Sequence, residues 1–224
     1  MEQGERDFFT KVAQNYDRLS GKLSAGLDNI WRRRAVELAS GLKSAKVLDV
    51  ATGTGNIAIM LARKYNGYKI TALDTNREML AVAEEKSRGL KNVKYVHGSA
   101  ESLGFAKSSF DVVITSFSLG AFDDLTKSLD EMKRVLRPGG RLIILDINKS
   151  HGKLFGELLG LYQMFSVAPT LNSDIRGELE RYIHSKRLQI DKKMLISMLE
   201  NTGFREINAV DLSFNTVFVI SCRK

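Results

Sequence analysis

The stretch Lys46-Val47-Leu48-Asp49-Val50-Ala51-Thr52-Gly53-Thr54-Gly55-Asn56 decides the fold. It begins as a short apolar strand, Lys46 to Ala51, and turns through two glycines. A helix follows from about Asn56 to Lys64. Gly53 and Gly55 let a ligand approach the backbone with no Cβ in the way. Ala58 stands where a third glycine would fall, a replacement that dinucleotide-type loops tolerate.

The same alternation continues outward. Lys69 to Leu73 reads as a second strand ending at Asp74, and Thr75 with Glu78 forms a T-x-x-E signal for the next helix. Val93 to Val96 and Phe110 to Ser116 are further strands. Val112, Val113 and Ile114 are continuous rather than alternating, which implies burial on both faces of a parallel sheet. Asp123 or Asp124 caps a helix carrying Leu125, Leu129, Met132, Val135 and Leu136 on one stripe. Arg137-Pro138-Gly139-Gly140 is expected to end it. Leu142 to Ile147 is a fifth strand, Asp191 to Asn201 a helix closed by Gly203, and Phe204 to Leu212 and Thr216 to Cys222 the last two strands. The link between those two is too short for a crossover, so they pair antiparallel. The expectation is an α/β fold: a doubly wound, Rossmann-like, seven-stranded and mostly parallel sheet with one antiparallel strand near its edge.

Two segments flank or interrupt this core. Residues 1–40 are expected to hold two helices, the second burying Leu27, Ile30, Trp31, Ala35 and Leu38. Residues 150–187 carry Leu154, Phe155, Leu158, Leu159, Leu161, Tyr162 and Phe165, apolar around most of a helix. Residues 1–224 then form a single domain: a helical lid at 1–40, a cofactor-binding core at 41–149, a helical cap at 150–187, and the C-terminal helix and strands at 188–224.

The 224 residues carry 34 Lys and Arg against 26 Asp and Glu, a net charge of +8. Basic and acidic residues are interleaved, which disfavours nucleic acid as a partner; the concentrated basic run is Arg32-Arg33-Arg34. The longest uncharged stretch, Leu158 to Ser173, contains Gly160 and Pro169 and is shorter than the ~20 apolar residues of a spanning helix. Peripheral membrane contact is left open. The N-terminus has no signal-like apolar run, and the lone Cys222 excludes an internal disulfide and a cysteine-rich metal site. A cytoplasmic protein is expected, with no metal, as a monomer or homodimer.

Asp74 lies 21 residues after Gly53, where a carboxylate can accept both hydroxyl protons of a ribose. A nicotinamide dinucleotide is one candidate ligand. Asp49, however, precedes the glycines by four residues, and a carboxylate there repels a pyrophosphate. It suits an ammonium or sulfonium group. S-adenosylmethionine has both together with a ribose, so the charges favour methyl transfer.

Taken as a set, Asp49-x-x-x-Gly53-x-Gly55, Asp74, Gly98-Ser99-Ala100-Glu101-x-Leu103-x-Phe105, Phe110-Asp111-x-x-x-Thr115 and Arg134-Val135-Leu136-Arg137-Pro138-Gly139-Gly140 resemble the class I S-adenosylmethionine-dependent methyltransferases. Val12-Ala13-x-x-Tyr16-Asp17, Ser24-x-Gly26-x-x-x-x-Trp31 and Ile114-Thr115-Ser116-Phe117 are similar to the ubiquinone/menaquinone C-methyltransferases within that class. The resemblance implies cofactor contacts at Tyr16, Asp49, Gly53, Thr54, Gly55, Asp74, Thr75, Ser99, Ala100, Glu101, Ser116 and Phe117. It implies a small, apolar or aromatic methyl acceptor. Where that family reads Gly-Leu-Arg-Asn, this chain has Ser118-Leu119-Gly120-Ala121, which removes two polar anchors beside the substrate. The acceptor is therefore expected to differ from a benzoquinol head group or to bind differently. Candidate bases are Tyr16, Asp17, His151 and His184. Two other readings are an RNA methyltransferase with Arg32 to Arg34 on phosphate, and a cofactor-binding protein without catalysis.

Overall fold

In a computed structural model the described residues are 3–148, 176–177 and 191–224. Apart from residues 176–177, the cap expected at 150–187 lies outside them, as do the candidates His151 and His184. Seven strands form one sheet: β1 (Ala45–Val50), β2 (Tyr68–Asp74), β3 (Val93–His97), β4 (Phe110–Ser116), β5 (Leu136–Ile147), β6 (Arg205–Leu212) and β7 (Val217–Arg223). Their order is β3-β2-β1-β4-β5-β7-β6. β7 alone is reversed, antiparallel to both β5 and β6. It sits one place inside the edge, as the short link between the last two strands requires.

The pleat sends alternate side chains to opposite faces. Val112 and Ile114 join one core layer, where Val47, Ile70, Ile143 and Val219 meet helices α3 (Asp28–Leu38) and α4 (Asn56–Lys64). Val113 joins the other, where Leu48, Ile144, Phe218 and Ile220 meet α6 (Leu125–Val135) and α7 (Lys192–Asn201). The continuous apolar run of β4 is thus divided between two buried layers.

Several local expectations need correction. The N-terminal region holds three helices, α1 (Gln3–Val12), α2 (Tyr16–Leu23) and α3, with a 3₁₀ turn at Ala13–Asn15 between the first two. Within α3, Ile30 is 61% exposed and Arg32 only 4%. Asp28 and Arg32 are one helical turn apart on the buried face, where their charges neutralise each other: Arg32 Nη1 donates to Asp28 Oδ2 at 2.5 Å. Ser20 and Ser24 hydroxyls also donate to the Asp28 carboxylate. Arg32 is therefore no part of an exposed phosphate-binding run.

Helix α5 (Arg77–Lys86) is capped by Asn76, whose Oδ1 accepts the Met79 N–H at 2.9 Å, and not by Thr75. Asp74 Oδ1 accepts the Asn76 N–H at 2.9 Å and so fixes the turn one residue later than the T-x-x-E signal suggests. Asp124 caps α6, accepting from the Lys127 N–H. That helix ends at Val135, ahead of the Pro-Gly-Gly stretch, and residues 136–140 already belong to β5, with a register shift opposite Phe110 and Val112. No helix among the described residues is long and apolar enough to cross a membrane.

Leu129 is completely buried between α6 and the sheet. Leu129→Ala should lower the unfolding free energy by about 2–5 kcal/mol, the cost of lost burial plus a cavity. Chemical denaturation checks this; a loss under about 1 kcal/mol would mean the layer repacks freely.

Candidate functional site

The strand order changes direction between β1 and β4, and α/β sheets open a crevice at that place, outside the carboxyl ends of their strands. An open cleft lies there. Ala51 and Thr52 after β1, Leu73 and Asp74 of β2, Gly98 and Ser99 after β3, and Ser116 and Phe117 at the end of β4 all border it. Ala51 and Phe117 both adopt left-handed backbone, with φ of 54°. For residues with a Cβ that conformation is uncommon, and of the eight described non-glycine residues that adopt it these two sit on the wall of the cleft.

The glycine turn is braced from beneath. Asp49 is 1% exposed and does not border the cleft. Its Oδ2 accepts from Thr52 Oγ1 at 2.5 Å and from the Ala58 N–H at 3.1 Å. Gly55, the N-cap of α4, has no side chain to satisfy that N–H, so Asp49 caps the helix from the strand. Asp49 Oδ1 is buried without a hydrogen-bond partner among the described residues. Burial pushes the Asp49 carboxyl up to about 7, against the opposing bonds from Thr52 and Ala58. Gly53 has a φ of 56° with no heavy atom within 4 Å of a notional Cβ, leaving its backbone open to a ligand. Gly55 lies behind the cleft, where a Cβ would come within 2.9 Å of Ala83 Cβ.

Asp74 spans the turn. Its Oδ2 accepts the Gly53 N–H at 2.7 Å, joining the end of β2 to the glycine loop. Burial raises the Asp74 carboxyl above its ordinary value, against hydrogen bonds from the Asn76 and Gly53 N–H groups. Thr75, Ser99, Ala100 and Glu101 continue this wall. Ser99 Oγ donates to Glu101 Oε2, and Glu101 Oε1 accepts the Asp123 N–H at 2.8 Å. These carboxylates and loop hydroxyls beside an open glycine backbone suit a ribose-bearing ligand.

The cleft also has aromatic lining. Phe9, Tyr16, Phe117 and Phe122 border it with Arg32, Ser118 and Ala121. Asp146, at the end of β5, holds this segment: its Oδ2 accepts the Ser118 and Leu119 N–H groups at 3.2 and 3.0 Å. Burial brings the Asp146 carboxyl up to about 6, against the bonds from Leu119, Ile147 and Ser118.

Tyr16 and Asp17 lie side by side at the start of α2, yet only Tyr16 borders the cleft. Burial raises its phenol above the ordinary value, with Arg32 opposing, so Tyr16 stays protonated at neutral pH and can donate a hydrogen bond but not act as a base. Asp17 turns to the glycine loop. Its Oδ1 accepts from Thr54 Oγ1 at 2.5 Å and Asn56 Nδ2 at 2.8 Å, and Lys86 Nζ donates to its Oδ2. Burial opposes its ionisation, but these bonds outweigh it and hold the carboxyl below the usual range. The N-terminal helices, which the sequence pattern ties to little else, are clasped to the loop here. Of the cleft residues that sequence reasoning passed over, Phe9, Arg32 and Phe122 matter most. Arg32 left a signal: Asp28 and Arg32 share the helical face of Trp31 and Ala35.

Because the Asp49 carboxyl is raised in the fold, ionising it destabilises the folded state between about pH 4 and 7. Asp49→Asn carries no such charge. In the absence of ligand, the stability of the variant relative to the parent should rise across that window, by up to about 1.4 kcal/mol per pH unit, and level off above it. Denaturation curves at pH 4, 5.5, 7 and 8.5 check this; a constant difference would show that Asp49 does not titrate there.

Comparison with known proteins fits this geometry. The sequence profile of the ubiE/COQ5 methyltransferase family matches residues 1–222. The ubiquinone/menaquinone biosynthesis C-methyltransferase UbiE of Haemophilus ducreyi is 34% identical over 216 residues, covering 93% of this chain and 83% of that protein. The demethylmenaquinone methyltransferase of Thermotoga maritima is 33% identical over 213 residues, covering 94% and 89%. In fold, the chain is similar to an S-adenosylmethionine-dependent methyltransferase of Thermotoga maritima, described as a possible histamine N-methyltransferase, with a TM-score of 0.71, 19% identity, and 97% and 99% of the two chains covered. An S-adenosylmethionine-dependent methyltransferase from Aquifex aeolicus gives a TM-score of 0.63 at 22% identity, covering 86% and 88%. The chain belongs to the ubiE/COQ5 methyltransferase family and is an enzyme that takes its methyl group from S-adenosylmethionine.

Proposed function

We propose that this enzyme methylates a ring carbon of a reduced, quinone-type aromatic precursor. The observation that carries the reading is one cleft lined both by polar groups, Asp74 and Ser99 among them, and by the aromatic rings of Tyr16, Phe117 and Phe122. The relatives named as quinone-biosynthesis C-methyltransferases support the same acceptor class. When bound, S-adenosylmethionine supplies an electrophilic methyl group on a sulfonium. The residues do the rest by placement. Asp74 takes the ribose hydroxyls, Ser99 and Ala100 flank the base with Glu101, and the open backbone at Gly53 and Thr54 receives the amino-acid end. Phe117 and Phe122 provide a flat apolar surface for the acceptor ring.

At positions 118–121 the acceptor is held differently from a site with an arginine and an asparagine there. Ser118-Leu119-Gly120-Ala121 is a 3₁₀ segment anchored through its backbone to Asp146, and Ala121 leaves room at the wall. The three-arginine run expected to hold an RNA acceptor is broken up, since Arg32 is buried and Arg34 pairs with Glu37. We place the enzyme in the cytoplasm, meeting a lipophilic acceptor at the membrane surface, with residues 1–40 as a lid clasped by Asp17.

Asp74→Ala should weaken S-adenosylmethionine binding by about 1.5–3 kcal/mol, the worth of hydrogen bonds to a charged group. Unchanged affinity in calorimetric titration would remove Asp74 from the ribose. The acceptor is tested with demethylated naphthoquinol and benzoquinol substrates, labelled donor, and mass analysis of the product ring. Absence of transfer to either, with the donor bound, would defeat the acceptor assignment. Asp17→Asn should speed hydrogen exchange in residues 7–23 by several-fold, because it weakens the clasp to Lys86; identical exchange would show that the clasp does not hold the lid.

A further inference from the structure

Among the described residues, Arg32 is the one basic side chain that is buried, and it borders the cleft. A guanidinium has five N–H donors. Asp28 takes one of them, from Nη1, and no hydrogen bond from Nε or Nη2 occurs among the described residues. Asp28 is itself already served by the Ser20 and Ser24 hydroxyls. Nε and Nη2 are not among the buried atoms left without a partner, so these donors reach the solvent of the cleft and are open to a ligand.

The guanidinium is also held in place. Its carbon lies 5.1 Å from the centre of the Phe117 ring, a cation–π contact, and that ring stands against Trp31 at 6.1 Å. Trp31 in turn donates from Nε1 to Ser213 Oγ at 2.8 Å. Phe117 sits at the end of β4 in left-handed backbone, so a strand terminus and a helix fix the cation from two sides. A planar fork held in this way, with free donors facing a cleft, matches a planar oxyanion better than a water or a neutral group.

We propose that Arg32 is the anion-binding residue of the cleft, gripping an oxyanion of a ligand: the carboxylate at the amino-acid end of the methyl donor, or the phenolate oxygen of the acceptor. Both sources present the same chemistry to the fork. The phenolate source rests on the quinone-type reading above; the carboxylate source does not. The phenol of Tyr16, which also borders the cleft, adds a neutral donor to either anion.

The test pairs two nucleoside ligands that differ only at the end in question. S-adenosylhomocysteine has the amino-acid carboxylate; 5′-methylthioadenosine lacks it. The variant is Asp28→Asn combined with Arg32→Gln, which leaves no lone charge in the buried pair. Dissociation constants come from calorimetry, acceptor KM from turnover of the quinols, and folding is checked by melting temperature. If the fork holds the donor's carboxylate, affinity for S-adenosylhomocysteine falls about tenfold or more and that for methylthioadenosine stays within about twofold. If it holds the acceptor, both nucleosides bind as before and acceptor KM rises about tenfold. A folded variant with all three quantities within about twofold of the parent overturns the proposal. Should the double variant fail to fold, Arg32→Lys decides, since it keeps the charge but loses the fork: a drop of about threefold or more in one of the two quantities supports the proposal, and no change overturns it. A parent that binds S-adenosylhomocysteine but turns over no quinol defeats the acceptor reading alone, and the nucleoside pair still judges Arg32.

Discussion

Two carboxylates hold the turn between β1 and α4 in shape, and the site depends on that turn. Asp49 reaches up from the strand to cap the helix through Ala58 and to bind Thr52. Asp74 reaches across from β2 to the Gly53 N–H. A glycine loop by itself is an entropic liability, since glycine loses the most conformational freedom on folding. Here each end of the loop is tied to a different strand, and the strands are locked by register: Asp49 opposite Ala72 in β2 and Ile114 in β4. Ligand-facing backbone is thereby presented by the rigid sheet. Burial of both carboxylates is the cost, visible in the raised values of Asp49 and Asp74.

A third carboxylate extends the arrangement to the N-terminal helices. Asp17 bonds to Thr54 and Asn56 on the loop, and Lys86, at the end of α5, closes the group by donating to Asp17, to the Thr54 carbonyl at 2.9 Å and to Asn56 Oδ1 at 2.8 Å. One ammonium thus links the helical cover, the glycine loop and α5. The pair is partly solvated, with side chains 29% and 40% exposed, so its electrostatic worth is modest and salt-sensitive. A modest tie suits a cover that must release its ligands.

The parts of the site that could be read in the sequence are those built locally. The glycine turn, Asp74 at the end of its strand and Ser99 after β3 each sit at a strand terminus, where a doubly wound sheet places its ligands. The reversed strand was legible from a short connection, and the burial of β4 from three consecutive apolar residues. What escaped was non-local or one residue out of phase. Phe9 and Arg32 reach the cleft only because the N-terminal helices fold over it. Ile30 falls outside the core although its apolar spacing suggests otherwise, because the Asp28–Arg32 pair occupies the buried face at the same helical period. The α5 cap shifted from Thr75 to Asn76 because Asp74, needed at the cleft, also binds the Asn76 backbone.

The place of β7 has a bearing on how the molecule is made. It is the last strand in chain order, yet it lies between β5 and β6 and contributes Phe218, Ile220 and Cys222 to the core. During synthesis β1 to β5 can associate as they emerge, but β6 has no partner until residues 217–223 have left the ribosome. Until then β5 presents an unpaired edge from Arg141 to Ile147, with Leu142 and Ile144 bare on one side. Such an edge is a template for pairing with another chain. The nascent protein is therefore most prone to aggregation between the emergence of β5 and that of β7, and a stop or frameshift between those two strands leaves the β5 edge unpaired.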